Sequence, residues 1–516
     1  MQTEKEYYQD KTILRLHSES TGEYPLPDYN GDVKKVLAVK PQVVPSGKFL
    51  GDDVVEYSGI VSYSVVYLDG ENNITHADFT TDYDIAVRTS GEKYVDSDIE
   101  TVISSYSVRL VGPRKFSAKC SLESNVHICE RSVLEVGGDA FEGYEPEVSL
   151  ANASILNSTF AKGEEREIAE EVLTLEGVIA DEIEPLLCLA EPEVKSCTVT
   201  GGGAEIKGEL CLSLLYRNAE GEIRKCEHTV GFNERVPSEE LSSCDGVVAT
   251  VNVLSAKATV NPTEDGVSVV VSVIIEPQVR GVKNTSVELI TDSYVKERGC
   301  SNEYRDFGYT EHICTDTAEA QLDGKVSLSE LSVDSMSDFV YVDAQARTDS
   351  CEVVGDSVKI IGEVRFNGIA HGTDGENTSM YAPVKVSLPF EEYVNISCQK
   401  HDNARAFCSV SVFDEKMEID SDNLSLSASL GIRVTLYSER KQRCLGASYV
   451  TDEEYSSDPS VVTVYYPDAG ESIFGIAKKF HTSVVKIAQD NSLSESVFAS
   501  AHSPASALGV KKLIIK

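Results

Sequence analysis

Most of the chain alternates apolar and polar residues with a period of two. The runs Tyr57–Tyr67, Ile206–Tyr216, Val267–Ile275 and Leu424–Leu430 all follow it. Valine, isoleucine, tyrosine and serine dominate these runs, and Gly, Asn and Asp turns separate them. Such alternation puts one face of a strand against a core and the other in water, the mark of antiparallel sheets. The expected fold is therefore mostly β.

Laid over one another, the runs suggest three copies of one β-sandwich-like unit. Gly59, Gly208 and Gly362 each sit inside a strand, two residues after Tyr57, Ile206 and Ile360. A tyrosine follows eight residues later in the first two copies, at Tyr67 and Tyr216, where the third has Ala370. An aromatic with a polar neighbour follows at Tyr83-Asp84, Phe232-Asn233 and Phe390-Glu391, the last displaced by a longer hairpin around His371 to Asn377. An apolar segment precedes each glycine strand at Val36–Pro41, Leu187–Pro192 and Val340–Gln345, and a late pair of strands closes each copy. A glycine inside a strand marks a bulge or a close backbone approach. The expected organisation is β repeat 1 over 1–150, β repeat 2 over 151–300 and a diverged β repeat 3 over 301–451. The acidic Ser- and Pro-bearing stretch 452–460 reads as a linker.

From Val461 onward the period changes. Val461–Tyr466 reads as a short strand and Pro467–Gly470 as a turn. Ser472 is placed to cap a helix whose Ile473, Ile476, Ala477 and Phe480 share one face. Thr482 or Ser483 can cap a second helix over Val484 to Asp490, and Leu513–Ile515 supplies a closing strand. This βααβ order, with Gly470-Glu-Ser-Ile-Phe-Gly-Ile-Ala-Lys-Lys-Phe480, Thr482–Asn491 and Gly509–Ile515, resembles the LysM domain. Departures are Glu471 for the usual Asp, Phe474 where Trp is frequent, a longer first turn, and a long stretch 494–508. The resemblance implies a binding groove formed by Gly470, Glu471, Ser472, Ile473 and Phe474 with Asp490, Asn491, Ser492 and Leu493.

Composition narrows the partners. Lys+Arg is 46 against 85 Asp+Glu, a net charge of −39, which repels phosphate backbones and anionic lipid, so neither nucleic acid nor membrane insertion is expected. Residues 461–516 hold six lysines and four carboxylates, +2, and subtracting that from −39 leaves −41 on the rest. No signal peptide or membrane span is visible, which predicts a cytoplasmic location. Thirteen scattered cysteines without a CxxC pair indicate neither a disulfide framework nor a zinc site, and Cys188, Cys211 and Cys408 read as buried small hydrophobes. Gly201–Gly203 reads as a hairpin turn rather than a phosphate cradle. Nine scattered histidines and no nucleophile, phosphate or dinucleotide motif point away from catalysis, metals and cofactors.

The whole architecture resembles the SipL-like spore-coat morphogenetic family, built of tandem SPOCS domains and a C-terminal LysM domain. That resemblance implies a non-catalytic adaptor in the mother cell, at the forespore surface. There its LysM domain would bind a SpoIVA-like basement-layer coat ATPase, beside other coat proteins. The alternative is an envelope protein that binds peptidoglycan or another GlcNAc glycan. A third reading, an enzyme with a LysM targeting module, would need a catalytic pair hidden among the carboxylates.

Overall fold

The computed structural model describes residues 4–516 apart from 28–29, 52–53, 89–92, 329–330, 332–335, 374–378, 399–402, 421, 457–460, 494–503 and 506–508. The described chain is mostly β, arranged in several antiparallel sheets. Its first strands are β1 (Glu4–Pro25), β2 (Val33–Leu50), β3 (Val54–Asp69), β4 (Ile74–Arg88), β5 (Lys93–Gly112) and β6 (Lys115–Glu135). They make two sheets, ordered β1-β6-β5 and β2-β3-β4. Next come β7 (Glu147–Lys162), β8 (Arg166–Glu176), β9 (Glu184–Thr200), β10 (Gly203–Arg217), β11 (Ile223–Pro237), β12 (Gly246–Pro262) and β13 (Gly266–Tyr294). Here the sheets are β12-β13-β7, with β8 also on β13, and β11-β10-β9. The last long strands are β14 (Arg298–Ser327), β15 (Met336–Val354), β16 (Ser357–Thr373), β17 (Ser379–Asn395), β18 (Ala404–Asp420) and β19 (Asn423–Glu454), ordered β14-β19-β18 and β15-β16-β17. One apolar core lies between the sheets of each set: around Tyr63 and Phe116, around Ile206 and Val273, and around Phe366 and Leu430.

The alternation explains these layers. Along β3, Tyr57, Val61, Tyr63 and Val65 point inward while Ser58, Ser62 and Ser64 stay partly wet. The strand glycines face aromatic rings across the ladder: Gly59 opposite Tyr83, Gly208 opposite Phe232, Gly362 opposite Phe390. On their other side the neighbouring strand shifts register at the same point, between Pro45 and Gly47, Val194 and Ser196, and Thr348 and Ser350. A Cβ on Gly208 would lie 2.2 Å from the Glu193 carbonyl oxygen and 2.5 Å from the Phe232 ring; on Gly362 it would lie 2.3 Å from that of Arg347. Close approach, not unusual backbone torsion, requires glycine there.

The three sets of sheets are not strung out; they share cores. One cluster joins Leu37 and Val66 from the first set, Leu187 and Leu215 from the second, and Tyr341 and Ile369 from the third. Another joins Tyr7 and Leu134, Ile155 and Leu289, and Phe307 and Cys444. Alternation breaks where strands enter the first cluster. Val65-Val66-Tyr67, Leu214-Leu215-Tyr216 and Gly368-Ile369-Ala370 are buried on both faces.

Three sequence expectations change in detail. The stretch read as a linker begins as strand, because Asp452–Glu454 complete β19 and Glu454 pairs with Arg298 of β14; 457–460 lie outside the described residues. Cys211 is exposed rather than buried, since it takes the outward position between inward Leu210 and Leu212. Cys188 and Cys408 are half-buried. The Gly201-Gly202 pair does turn the β9–β10 hairpin, with Gly202 at φ +94. Of the hairpin around His371 to Asn377, 374–377 lie outside the described residues.

Candidate functional site

Beyond β19 come β20 (Thr463–Tyr465), α1 (Ile473–Lys479), α2 (Val484–Asp490) and β21 (Leu513–Ile515), with β20 and β21 paired antiparallel. Ser472 caps α1 by accepting from the Gly475 amide at 3.0 Å, and Ser483, not Thr482, caps α2 by accepting from Lys486 at 3.1 Å. Lys478 and Lys479 sit in the last turn of α1, where the helix dipole favours cations.

Most of the groove residues expected from sequence have structural tasks. Ile473 is fully buried in the small core with Ile476, Ile487 and Leu513, and Leu493 packs against it. Glu471 accepts from the Tyr465 hydroxyl at 2.7 Å and from the Asp468 amide at 2.9 Å, so the opening turn is closed by its own carboxylate. Those donors, with Lys479 nearby, hold its carboxyl below the usual glutamate range. Asn491 accepts from the Ile514 amide at 2.6 Å and donates to the Ile487 and Ile514 carbonyls, tying α2 to β21. Asp490 faces Lys516 at 3.6 Å. Gly470, at φ +93, is exposed, and Ser492 takes a left-handed turn at φ +52. A second segment of the same chain covers the opening turn: the Ala505 amide donates to the Glu471 carbonyl at 2.7 Å, and Pro504 bridges to Ser472.

Phe474 is turned toward the body of the protein. Its ring meets Tyr294, the last residue of β13, edge to face at 5.3 Å, and the Tyr294 hydroxyl donates to the Thr482 carbonyl at 2.6 Å. Burial pushes that hydroxyl's pKa well up. Lys478 pairs with Asp292 at 2.6 Å, and His481 stacks on Tyr455 at 3.5 Å. Sequence reasoning missed this docking surface. One face of β20 and its flanks points outward, with Val462, Val464 and Tyr466 exposed by 56%, 55% and 68%.

No family model matches this chain, and no curated protein matches it. A crystal structure of a lipopolysaccharide binding protein aligns with 51% of this chain and 91% of its own, at 7% identity and a TM-score of 0.08. A likeness that slight carries no argument about fold or ligand.

Two buried charged clusters also escaped the sequence reading. Lys40 of β2 pairs with Asp343 of β15 and reaches Glu191 of β9 at 2.8 Å, so one lysine ties strands from all three sets. Burial opposes its charge, but the Asp343 and Glu191 carboxylates outweigh that and hold its pKa well above the usual value. Arg280 of β13 lies 2.8 and 2.9 Å from the ring nitrogens of His127 on β6 and 3.4 Å from the Tyr437 hydroxyl on β19. Beside it, burial raises the Asp10 carboxyl, but His127, Ser158 and Arg280 outweigh burial and hold it low. The signal in the sequence was a cation inside an apolar run, Val39-Lys40-Pro41. Chemically, both clusters fasten strands together. A recess of about 180 Å³ near the Lys40 cluster is lined by Ser104 and Tyr106. Their hydroxyls donate to the Ser121 and Val39 carbonyls. Among the described residues no group of three or more His, Cys, Asp or Glu side chains could hold a metal ion, and no helix is long and apolar enough to cross a membrane.

Proposed function

We propose that this chain is a non-catalytic scaffold of the spore coat. In this reading three SPOCS-like β units carry a LysM-like module that docks to a SpoIVA-like basement-layer ATPase during encasement of the forespore. The observation that carries the reading is strand order. In each set the first strand pairs with the last and the last with the one before it, while the second, third and fourth long strands form a separate meander. Only the second set departs, by dividing its first strand into β7 and β8. Gly59, Gly208 and Gly362 occupy matching places in the three meanders, and Val66, Leu215 and Ile369, each seven residues on, meet in the shared core. Three copies of one unit ending in a βααβ module is the architecture that the family resemblance implies.

A protein partner fits the module better than a glycan. Sugar recognition at a LysM groove uses backbone of the opening turn, and here the Glu471 carbonyl and Ser472 are engaged by Ala505 and Pro504. The exposed apolar face at Val462, Val464 and Tyr466 offers a protein-binding surface instead. Biosensor binding to the purified coat ATPase and co-sedimentation with peptidoglycan separate the two readings. The full chain should bind the ATPase, and Tyr466→Glu should weaken that binding by about tenfold or more. Retention on peptidoglycan with no affinity for the ATPase overturns the proposal.

A further inference from the structure

Cys314 lies on β14, just past a bulge at Ile313 that shifts the ladder between His312 and Cys314. Cys398 lies three residues beyond the end of β17, on the chain leading toward β18. β14 and β17 belong to different sheets of the third set, and 84 residues separate the two cysteines. Their Sγ atoms are 2.7 Å apart. That is well inside the separation at which unbonded sulfurs rest, and a movement of well under 1 Å reaches the disulfide bond length of about 2.05 Å. The approach is held from both sides. The Ser397 amide donates to Asp316 Oδ2 at 3.0 Å and the Ile396 amide to the Asp356 carbonyl at 3.1 Å. Ile313, Cys314 and Ile396 all pack on the core of this set. Both thiols are partly exposed, so a small oxidant can reach them.

We propose that Cys314 and Cys398 form a thiol–disulfide site that staples the two sheets of the third β set along their β14 and β17 edges, with a small-molecule disulfide of the glutathione class as oxidant. Reaction begins at Cys398, which lies outside the strands, whereas Cys314 is held within β14. Its thiolate attacks one sulfur of the oxidant, forming a mixed disulfide and releasing the first small thiol. Cys314 then loses its proton and attacks Cys398 Sγ. The protein disulfide forms, the mixed disulfide breaks, and the second small thiol leaves. Two cysteines are oxidised and one small disulfide is reduced to two thiols. The closed loop restricts the unfolded chain, so the oxidised form unfolds at higher temperature. This site stands apart from the coat-assembly reading and does not depend on it.

The test incubates the full chain with oxidised glutathione, traps remaining thiols under denaturing conditions and maps peptides without reduction. Exposed Cys211 serves as the internal control, since it should carry a glutathione cap. The expected result is a peptide linked through Cys314 and Cys398 together with a raised melting temperature. Cys398→Ser should remove both, and Cys408→Ser should keep both. A capped Cys211 beside free, separately capped or otherwise paired Cys314 and Cys398 overturns the proposal.

Discussion

At the scale of single residues, the strand glycines set the tightest constraint. Gly208 is pressed between the Glu193 carbonyl and the Phe232 ring, and neither neighbour is a flexible chain end. Gly208→Ala should therefore destabilise the protein by about 1–3 kcal/mol, the usual cost of overpacking, as read from a denaturant midpoint. Gly231→Ala, on the adjacent strand, has its nearest neighbour at 3.9 Å and should be much milder; equal losses from the two would dispose of the close-approach argument. Much of this was legible in the chain. The glycines and the aromatics 24 residues on proved to be cross-strand partners, because a hairpin of fixed length fixes register. Other residues gave little warning. The tasks of Lys40 and Arg280 depend on strands more than a hundred residues away, and no local pattern reports such a meeting.

At the scale of elements, the C-terminal module is held chiefly by one side chain. The Lys478–Asp292 pair is about one-third exposed on each side, so it contributes at most about 1 kcal/mol. Tyr294 is 2% exposed, packs edge-on against Phe474 and donates to the Thr482 carbonyl. Truncating so buried an aromatic costs about 3–5 kcal/mol. Tyr294→Ala should thus release the module from β13, whereas Lys478→Ala should leave it docked. Small-angle scattering would show this as a longer maximum dimension for the first variant alone, and indistinguishable profiles would refute the assignment. The helices and their serine caps could be read from the sequence, because capping and a 3.6-residue period are local. The contact that Phe474 makes could not be read so, for the opposite reason. An aromatic on a helix face looks the same whether it lines a groove or meets another element, and only the end of β13 decides between them.

At the scale of the whole molecule, the three sets of sheets meet around Lys40, Glu191 and Asp343, and a fourth group makes that meeting place sensitive to pH. A bulge between Phe413 and Lys416, with Asp414 at φ +54, sets Glu415 within the field of these charges. Burial, reinforced by the Glu191 and Asp343 carboxylates and only partly relieved by Lys40, raises the Glu415 carboxyl to about 7. The shared core was foreshadowed where alternation gives way to Val65-Val66-Tyr67 and Leu214-Leu215-Tyr216, since a strand buried on both faces loses its polar positions. The charge balance within it was not. A folded-state pKa above the unfolded value means that the folded chain holds the extra proton. The stability this carboxyl contributes is therefore complete below the ordinary glutamate range and is lost as pH rises through about 7. Glu415→Gln keeps the shape and removes the titration. It should stabilise the protein by about 1–3 kcal/mol near pH 8 and make little difference near pH 4. Denaturant unfolding of the two chains across this range measures the gap directly. A gap independent of pH would mean that Glu415 titrates as it does in the unfolded chain, and that the junction tolerates its charge.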